Sequence, residues 1–152
     1  MIRDLDKIDR RILEELESNG RLSIVELATR VNLTNTPCSE RVKRLERDGF
    51  ICGYQAILNQ EKLGLGHVTI VQVSLAATGG DNSLDAFNLA VKNIPEVESC
   101  LMVTGSFDYL LTVRTRDILH FRNVLGDHIN KLPGINQTNS FAVMETVVQR
   151  YG

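Results

Sequence analysis

No stretch of this 152-residue chain approaches the ~20 consecutive apolar residues that a bilayer-spanning helix needs. The opening MIRDLDKIDRR is charged throughout and lacks the apolar core of a secretory leader, so no signal peptide is expected and the setting is read as cytoplasmic. The three cysteines, Cys38, Cys52 and Cys100, form no CxxC pair and leave an odd one over. Each is flanked by apolar or helical sequence, so they are expected to be reduced, largely buried thiols rather than metal ligands. The chain also lacks an HExxH or HxxxH arrangement among His67, His120 and His128, a P-loop, a GxGxxG turn and any nucleophile motif. Asp108 and Tyr109 could in principle do acid–base work, but no partner is placed for them. Enzymatic chemistry is therefore not expected, and neither is a cofactor or a metal. A general excess of positive charge is missing too: the net charge is −2, which excludes a uniformly basic nucleic-acid coat but not a local basic patch.

What is present divides into two periodicities. From Leu5 to Asp48 apolar residues recur at helical spacing. Leu5, Ile8, Ile12 and Leu16 make one face of a first helix that stops at Asn19-Gly20. Ser23 stands three residues ahead of Glu26, a capping box, and Ile24, Leu27, Ala28 and Val31 follow on one face. After a short Asn32-Leu33 connection a third helix carries Pro37 in its first turn, where the missing N–H costs nothing. Thr34 or Thr36 caps it, and Gly49 ends it. Three short helices with a four-residue break before the last are the pattern of a helix-turn-helix.

After Gly49 the period changes. Phe50 to Leu58 reads as extended and Asn59 to Gly66 as a linker. There follow strand (Val68–Ala76), helix (Leu84–Ile94, stopped by Pro95), strand (Val97–Gly105), strand (Tyr109–Thr115), helix (Ile118–Leu132, stopped by Pro133-Gly134) and strand (Gln137–Gln149). This order predicts an α+β chain: a winged-type helix-turn-helix followed by a ferredoxin-like βαββαβ domain, with two helices on one face of an antiparallel sheet. The expected domains are 1–52, a tether of 53–66, and 67–152. The first strand offers Thr69, Val71, Val73 and Leu75 on one face, yet Val68 and Ile70 on the other. In the last, Phe141, Val143 and Val147 oppose Ala142, Met144 and Val148. Apolar residues on both faces of a small sheet imply that a second chain covers the bare face, giving at least a dimer.

The third helix, TPCSERVKRLERDGF, concentrates positive charge. From Arg41 to Arg47 four basic residues accompany one acid, while over Met1–Cys52 ten Lys and Arg face ten Asp and Glu. Cys38, Val42 and Leu45, at i, i+4 and i+7, must pack inward. Thr36, Ser39, Glu40, Lys43, Arg44 and Arg47 stay outside, with Asn35 at the entry. A solvated amphipathic helix with cations suited to its C-terminal dipole would account for the charge alone. The preceding tight turn and the small hydrogen-bonding residues Thr34, Asn35, Thr36 and Ser39 point further. Small polar groups at the N-terminal end suit base edges, and cations further along suit phosphates.

TPCSERVKRLERDGFICGY resembles the recognition helix and exit strand of the Lrp/AsnC, or feast/famine, family of bacterial and archaeal regulators. LDKIDRRILEEL resembles that family's first helix, VTGSFDYLLTV its effector-domain strand-turn-strand, and KLPGINQTNSFAVMETV its final strand. The likeness runs nearly end to end and is nearest to the leucine-responsive branch. It implies a transcription regulator whose N-terminal half binds double-stranded DNA. The C-terminal half, the regulation-of-amino-acid-metabolism (RAM) domain, would dimerise by sheet packing, with dimers assembling further, often to octamers. By likeness Thr34, Asn35, Thr36, Ser39, Glu40, Lys43 and Arg47 would face the major groove and its phosphates. Arg41 and Arg44 are left between that role, pairing with Glu46 or Glu40, and bracing the domain.

The resemblance also implies an amino-acid effector, leucine, methionine or similar, held between dimers by Thr104, Gly105, Ser106, Phe107, Asp108 and Tyr109 with hydroxyls from Thr138 and Ser140. Backbone amides would hold its carboxylate, and Asp108 or a main-chain carbonyl its ammonium. Read from the residues alone, the same turn is a tight hairpin in which Gly105 takes a positive φ and Asp108 accepts from backbone amides. The family often has an acid where this chain has Ser106, which bears on how the ammonium is held. Two other readings compete: an architectural DNA-wrapping protein with no effector, and an effector-binding module with a protein partner.

Overall fold

A computed structural model of the chain describes residues 4–76 and 80–148. It divides into two compact units, Met1–Ile57 and Leu58–Gly152.

The first unit holds three helices, α1 (Lys7–Ser18), α2 (Ile24–Arg30) and α3 (Asn35–Arg47). Asp6 caps α1 by accepting from the Asp9 amide at 2.7 Å. The capping box at α2 forms in both directions: Ser23 Oγ accepts from the Glu26 amide at 3.2 Å, and the Glu26 carboxylate accepts from the Ser23 amide at 2.9 Å. Asn32 takes a left-handed φ of 56° in the turn before α3. The residue that caps α3 is Thr34, without a side-chain capping bond. Gly49, at φ 77°, ends it in a Schellman turn: the Phe50 amide donates to Leu45 O and the Gly49 amide to Glu46 O. Ile12, Leu27, Ala28, Val31, Cys38, Val42 and Leu45 form the core between the helices, with Phe50 and Ile51 packed against it. Beyond Ile51 no strand pairs in this unit among the described residues. Cys38 is buried, but Cys52 is exposed on the segment leaving the core and Cys100 is half-buried, so the expectation of three largely buried thiols fails at Cys52.

The second unit is a four-stranded antiparallel sheet, β1 (His67–Leu75), β2 (Val97–Met102), β3 (Tyr109–Thr115) and β4 (Ile135–Ala142), in spatial order β2-β3-β1-β4. Two helices, α4 (Gly80–Val91) and α5 (Ile118–Asp127), accompany it, the latter followed by a 3-10 turn, Ile129–Lys131. Val71, Val73, Tyr109, Leu111 and Val113 from the sheet meet Phe87, Val91, Phe121, Val124 and Ile129 from the helical layer in one buried cluster. The sequence order of elements is as expected, but the bounds differ: α4 runs Gly80–Val91 where Leu84–Ile94 is expected, and β2 stops at Met102 where Gly105 is expected. The second helix breaks at His128 instead of running to Leu132. The last strand ends at Ala142, opposite Thr69, with one further bond from the Val143 amide to Val68 O, so the ladder stops short of the start of β1 at His67. The expected end at Gln149 lies outside the described residues.

The sheet face away from this core is mixed. One row across it reads Ser99–Thr112–Ile70–Phe141 and the next Leu101–Leu110–Gln72–Asn139. Phe141 and Leu101 are exposed. Among the described residues no helix is long and apolar enough to cross a membrane.

Candidate nucleic-acid interface and effector turn

The amphipathic spacing of α3 sorts its residues cleanly. Cys38, Val42 and Leu45 are buried, whereas Thr34, Asn35, Thr36, Glu40, Lys43 and Arg47 are exposed and Ser39 is half-buried. The small polar residues occupy the N-terminal turn and the two outward cations the C-terminal half. Because the Thr34 side chain makes no capping bond, its hydroxyl is available to a ligand. Lys43 makes no ion pair among the described residues. Among the described residues the one ion pair of Arg47 is with its neighbour Asp48, at 3.2 Å, with its own side chain 74% exposed; an exposed pair of this kind contributes little and yields readily to a phosphate.

Arg41 and Arg44 go elsewhere. Arg41 Nη1 lies 2.6 Å from Asp6 Oδ2 and 2.7 Å from Asp9 Oδ1, and Arg44 Nη2 lies 3.2 Å from Asp9 Oδ1. Of the alternatives open for these arginines, the structure pairs them with neither Glu46 nor Glu40: they brace α3 against α1. Glu46 instead accepts from the Tyr54 hydroxyl at 2.9 Å. Burial, then that carboxylate, pushes the Tyr54 phenol up to about 12. The amide of Asp9 and the guanidinium of Arg41 hold the Asp6 carboxyl below its ordinary value, and Asp6 and Asp9 in turn raise Arg41. Asp9 is the buried partner of these arginines that sequence reasoning missed. A signal was there: it lies four residues after Leu5, three before Ile12 and seven before Leu16, a charge set within the apolar face of α1.

The second candidate site is the turn between β2 and β3. Gly105 has φ 139°, with nothing near the position a Cβ would occupy. Thr104, Gly105 and Ser106 are exposed, Phe107 and Asp108 half-buried. The turn is fastened at Asp108. Its amide donates to Val73 O at 2.9 Å, its carbonyl accepts from Val103 N at 2.9 Å, and its Oδ2 accepts from Leu75 N at 2.7 Å. By contrast, the amides of residues 104–107 make no hydrogen bond within the chain among the described residues. Consecutive free N–H groups of this kind can cradle an anion.

Not every expected effector residue joins this turn. Tyr109 is 2% exposed, its ring 4.4 Å from that of Phe87 and its hydroxyl donating to Asn88 Oδ1 at 2.9 Å; burial raises its phenol. Its side chain is part of the core. Thr138 stands in register with Val73, which also pairs with Tyr109, so β1 lies between Thr138 and the turn. Its hydroxyl donates to Asn130 Oδ1 at 3.1 Å. Ser140, opposite Val71, is exposed. One chain thus presents the amides and the hydroxyls on strands separated by roughly 10 Å.

Comparison with known proteins agrees with both halves. Residues 5–51 match the winged helix-turn-helix DNA-binding family model and residues 68–152 the Lrp/AsnC ligand-binding domain. The chain is 48% identical over 144 residues to the proline dehydrogenase transcriptional activator of Rhizobium radiobacter, covering 95% of this chain and 92% of that protein. It is 47% identical over 147 residues to the leucine-responsive regulatory protein of Escherichia coli K12, covering 97% and 89%. Among solved structures, a transcriptional regulator of Neisseria meningitidis in complex with L-methionine superimposes with a TM-score of 0.91 at 35% identity, covering 96% of this chain and 94% of that one. A feast or famine regulatory protein of Mycobacterium tuberculosis complexed with L-methionine gives 0.88 at 32%, covering 96% of each. With a recognition helix and an effector-type sheet in the same order as these relatives along nearly its whole length, the chain belongs to the Lrp/AsnC family of transcriptional regulators.

Proposed function

We propose that this protein is a cytoplasmic, sequence-specific regulator of transcription whose DNA affinity is set by an amino acid such as leucine or methionine. The division of labour we infer is residues 1–52 for DNA, 53–66 as tether, and 67–152 for effector binding and assembly. The observation that carries the DNA half is the sorting of α3: every apolar residue of its i, i+4, i+7 stripe is buried, and Asn35, Thr36, Glu40, Lys43 and Arg47 are left to solvent. Thr34, Asn35, Thr36, Ser39 and Glu40 would read base edges, with Lys43 and Arg47 on phosphates. A dimer fixes the spacing of two such helices, so half-sites should lie about one helical turn apart or a multiple of it.

The effector reading is supported by the free amides of residues 104–107, which suit a carboxylate, and by the methionine held in two relatives. Asp108 is the candidate partner for the ammonium. The hydroxyls of Thr138 and Ser140 reach such a ligand only from another chain. The site is therefore one that assembly completes, with the sheet face bearing Ile70, Leu101, Leu110 and Phe141 as the dimer contact and higher oligomers, such as octamers, beyond it. Coupling between such sites is typically ~1–3 kcal/mol, or several-fold to about a hundredfold in DNA affinity.

The test is a gel shift on a duplex selected from a random pool by the wild-type protein, over a range of salt and with each amino acid in turn. Steep weakening with salt and a several-fold effect of leucine or methionine are expected. DNA binding that no amino acid alters would favour an architectural wrapping role instead. Failure to select any duplex would refute the DNA-binding reading.

A further inference from the structure

The recognition helix carries four cations, but they are not equivalent. Lys43 and Arg47 point to solvent, whereas Arg41 and Arg44 turn back onto α1. Their shared partner, Asp9, is 0% exposed, and the arginine side chains are 24% and 33% exposed. A carboxylate so enclosed holds its partners firmly, because separating them would leave a buried charge unpaired. Asp6 adds a second, more exposed oxygen to Arg41 at 2.6 Å while its other oxygen caps α1. The two links sit at Arg41 and Arg44, three residues apart, on the side of α3 that faces α1. They therefore fix both the roll of the helix about its own axis and its height against α1. Rotation of α3 by one residue's worth of arc would carry Lys43 away from the phosphates and bring an arginine there.

We propose that Asp9 is a positioning residue for DNA recognition. By holding Arg41 and Arg44 against α1, it sets the angle at which Asn35, Thr36, Ser39 and Glu40 meet the bases, and it leaves Lys43 and Arg47 as the two phosphate-contacting cations of each helix. This inference rests on the DNA-binding reading of α3. It goes further in assigning opposite roles to the adjacent cations Lys43 and Arg44, and in giving a function to an acid that would itself repel DNA.

The adjacent pair supplies a matched experiment in the full-length protein: Lys43→Gln and Arg44→Gln remove the same charge one residue apart. Arg44→Gln leaves Asp9 paired with Arg41 at 2.7 Å, so the fold is retained. Affinity is measured against salt on the selected duplex and on a scrambled duplex of equal length. Lys43→Gln should lower the slope of log K against log salt by about 0.9 for each recognition helix engaged, on both duplexes. Arg44→Gln should leave the slope unchanged and reduce the ratio of selected to scrambled affinity at least several-fold. Asp9→Asn should reduce that ratio by tenfold or more, at a temperature where circular dichroism shows it folded; should it not fold, the Arg44→Gln ratio decides. Equal loss of slope in Lys43→Gln and Arg44→Gln would overturn the proposal, since Arg44 would then be a phosphate contact. An unchanged selected-to-scrambled ratio in Arg44→Gln or in folded Asp9→Asn would overturn it as well, reducing Asp9 to a stability residue. A wild type that binds neither duplex would sink the underlying DNA reading, a result distinct from either.

Discussion

Asp9 Oδ1 lies 2.7 Å from Arg41 Nη1, joining a fully buried carboxylate of α1 to an arginine at the middle of α3. Arg44 approaches the same oxygen at 3.2 Å. Removing the carboxylate takes the buried partner from both partly enclosed cations and leaves Arg41 only the more exposed Asp6, while removing one arginine leaves the acid with the other. Asp9→Ala is therefore expected to destabilise the helical unit by about 3 kcal/mol, the lower end for breaking a buried pair, and Arg44→Gln by only about 1 kcal/mol. Urea denaturation followed by far-ultraviolet circular dichroism measures both. A loss under ~1 kcal/mol for Asp9→Ala would show that the arginines find water as good a partner.

Acid should loosen the same unit through Asp6. Its carboxyl is held below 3.8, first by the Asp9 amide it caps and then by Arg41. With a folded value below the unfolded one, the stability it contributes is fully present above the ordinary aspartate range and is lost as pH falls through the depressed value. Asp6 is solvent-exposed, so the effect is small and screened by salt. Asp6→Asn keeps a capping oxygen but removes the titration. Its thermal midpoint should sit below that of the wild type at pH 6 and converge with it as the pH falls below the ordinary aspartate range and through the depressed value. A constant gap at every pH would mean that Asp6 acts as a hydrogen-bond acceptor alone.

How far the sequence revealed these features depended on whether the cause was local. The capping box of Ser23 and Glu26, the inward stripe Cys38-Val42-Leu45, the helix stop at Gly49 and the positive φ of Gly105 are set by neighbours within a turn, and all are found in the structure. The partner of Arg41 is 32 residues away, and nearer acids at Glu40 and Glu46 competed for it on paper. Val143 to Val148 likewise has the composition of a strand, but the ladder with β1 ends at Ala142 opposite Thr69, a limit that the local residues do not reveal. The apolar neighbours of Cys52 suggest burial, yet the thiol is exposed because the chain there is already leaving the core. At the effector turn, the residue types alone could not show that the Tyr109 ring points into the core while Asp108 secures the loop.

The mixed sheet face yields a prediction about assembly. Phe141 is 53% exposed and cross-strand from Ile70, in a row on the face away from the buried cluster that the described helices form with the sheet. If a second copy rests there, Phe141→Asp buries an unpaired charge at the contact. The molar mass from size-exclusion chromatography with light scattering should fall toward that of one 17.0 kDa chain, with circular dichroism unchanged. An unaltered oligomer would place the dimer contact elsewhere on the molecule.

The final prediction separates two roles of Asp108. One oxygen, Oδ2, already accepts from the Leu75 amide at 2.7 Å and so ties the β2–β3 turn to the end of β1. The proposed ammonium contact needs the negative charge, whereas the tie to Leu75 needs only an acceptor. Asp108→Asn retains an acceptor of the same shape and loses the charge; Asp108→Ala loses both. The alanine variant leaves a partly buried amide without a partner and should cost about 1–3 kcal/mol. The asparagine variant should cost less than about 1 kcal/mol. In calorimetric titration with methionine and leucine, asparagine at this position should weaken binding at least tenfold if the carboxylate faces the ammonium, a charge-assisted contact. Stability retained together with full affinity would assign Asp108 to the hairpin alone. The ammonium would then fall to main-chain carbonyls, as the neutral Ser106 two residues earlier allows.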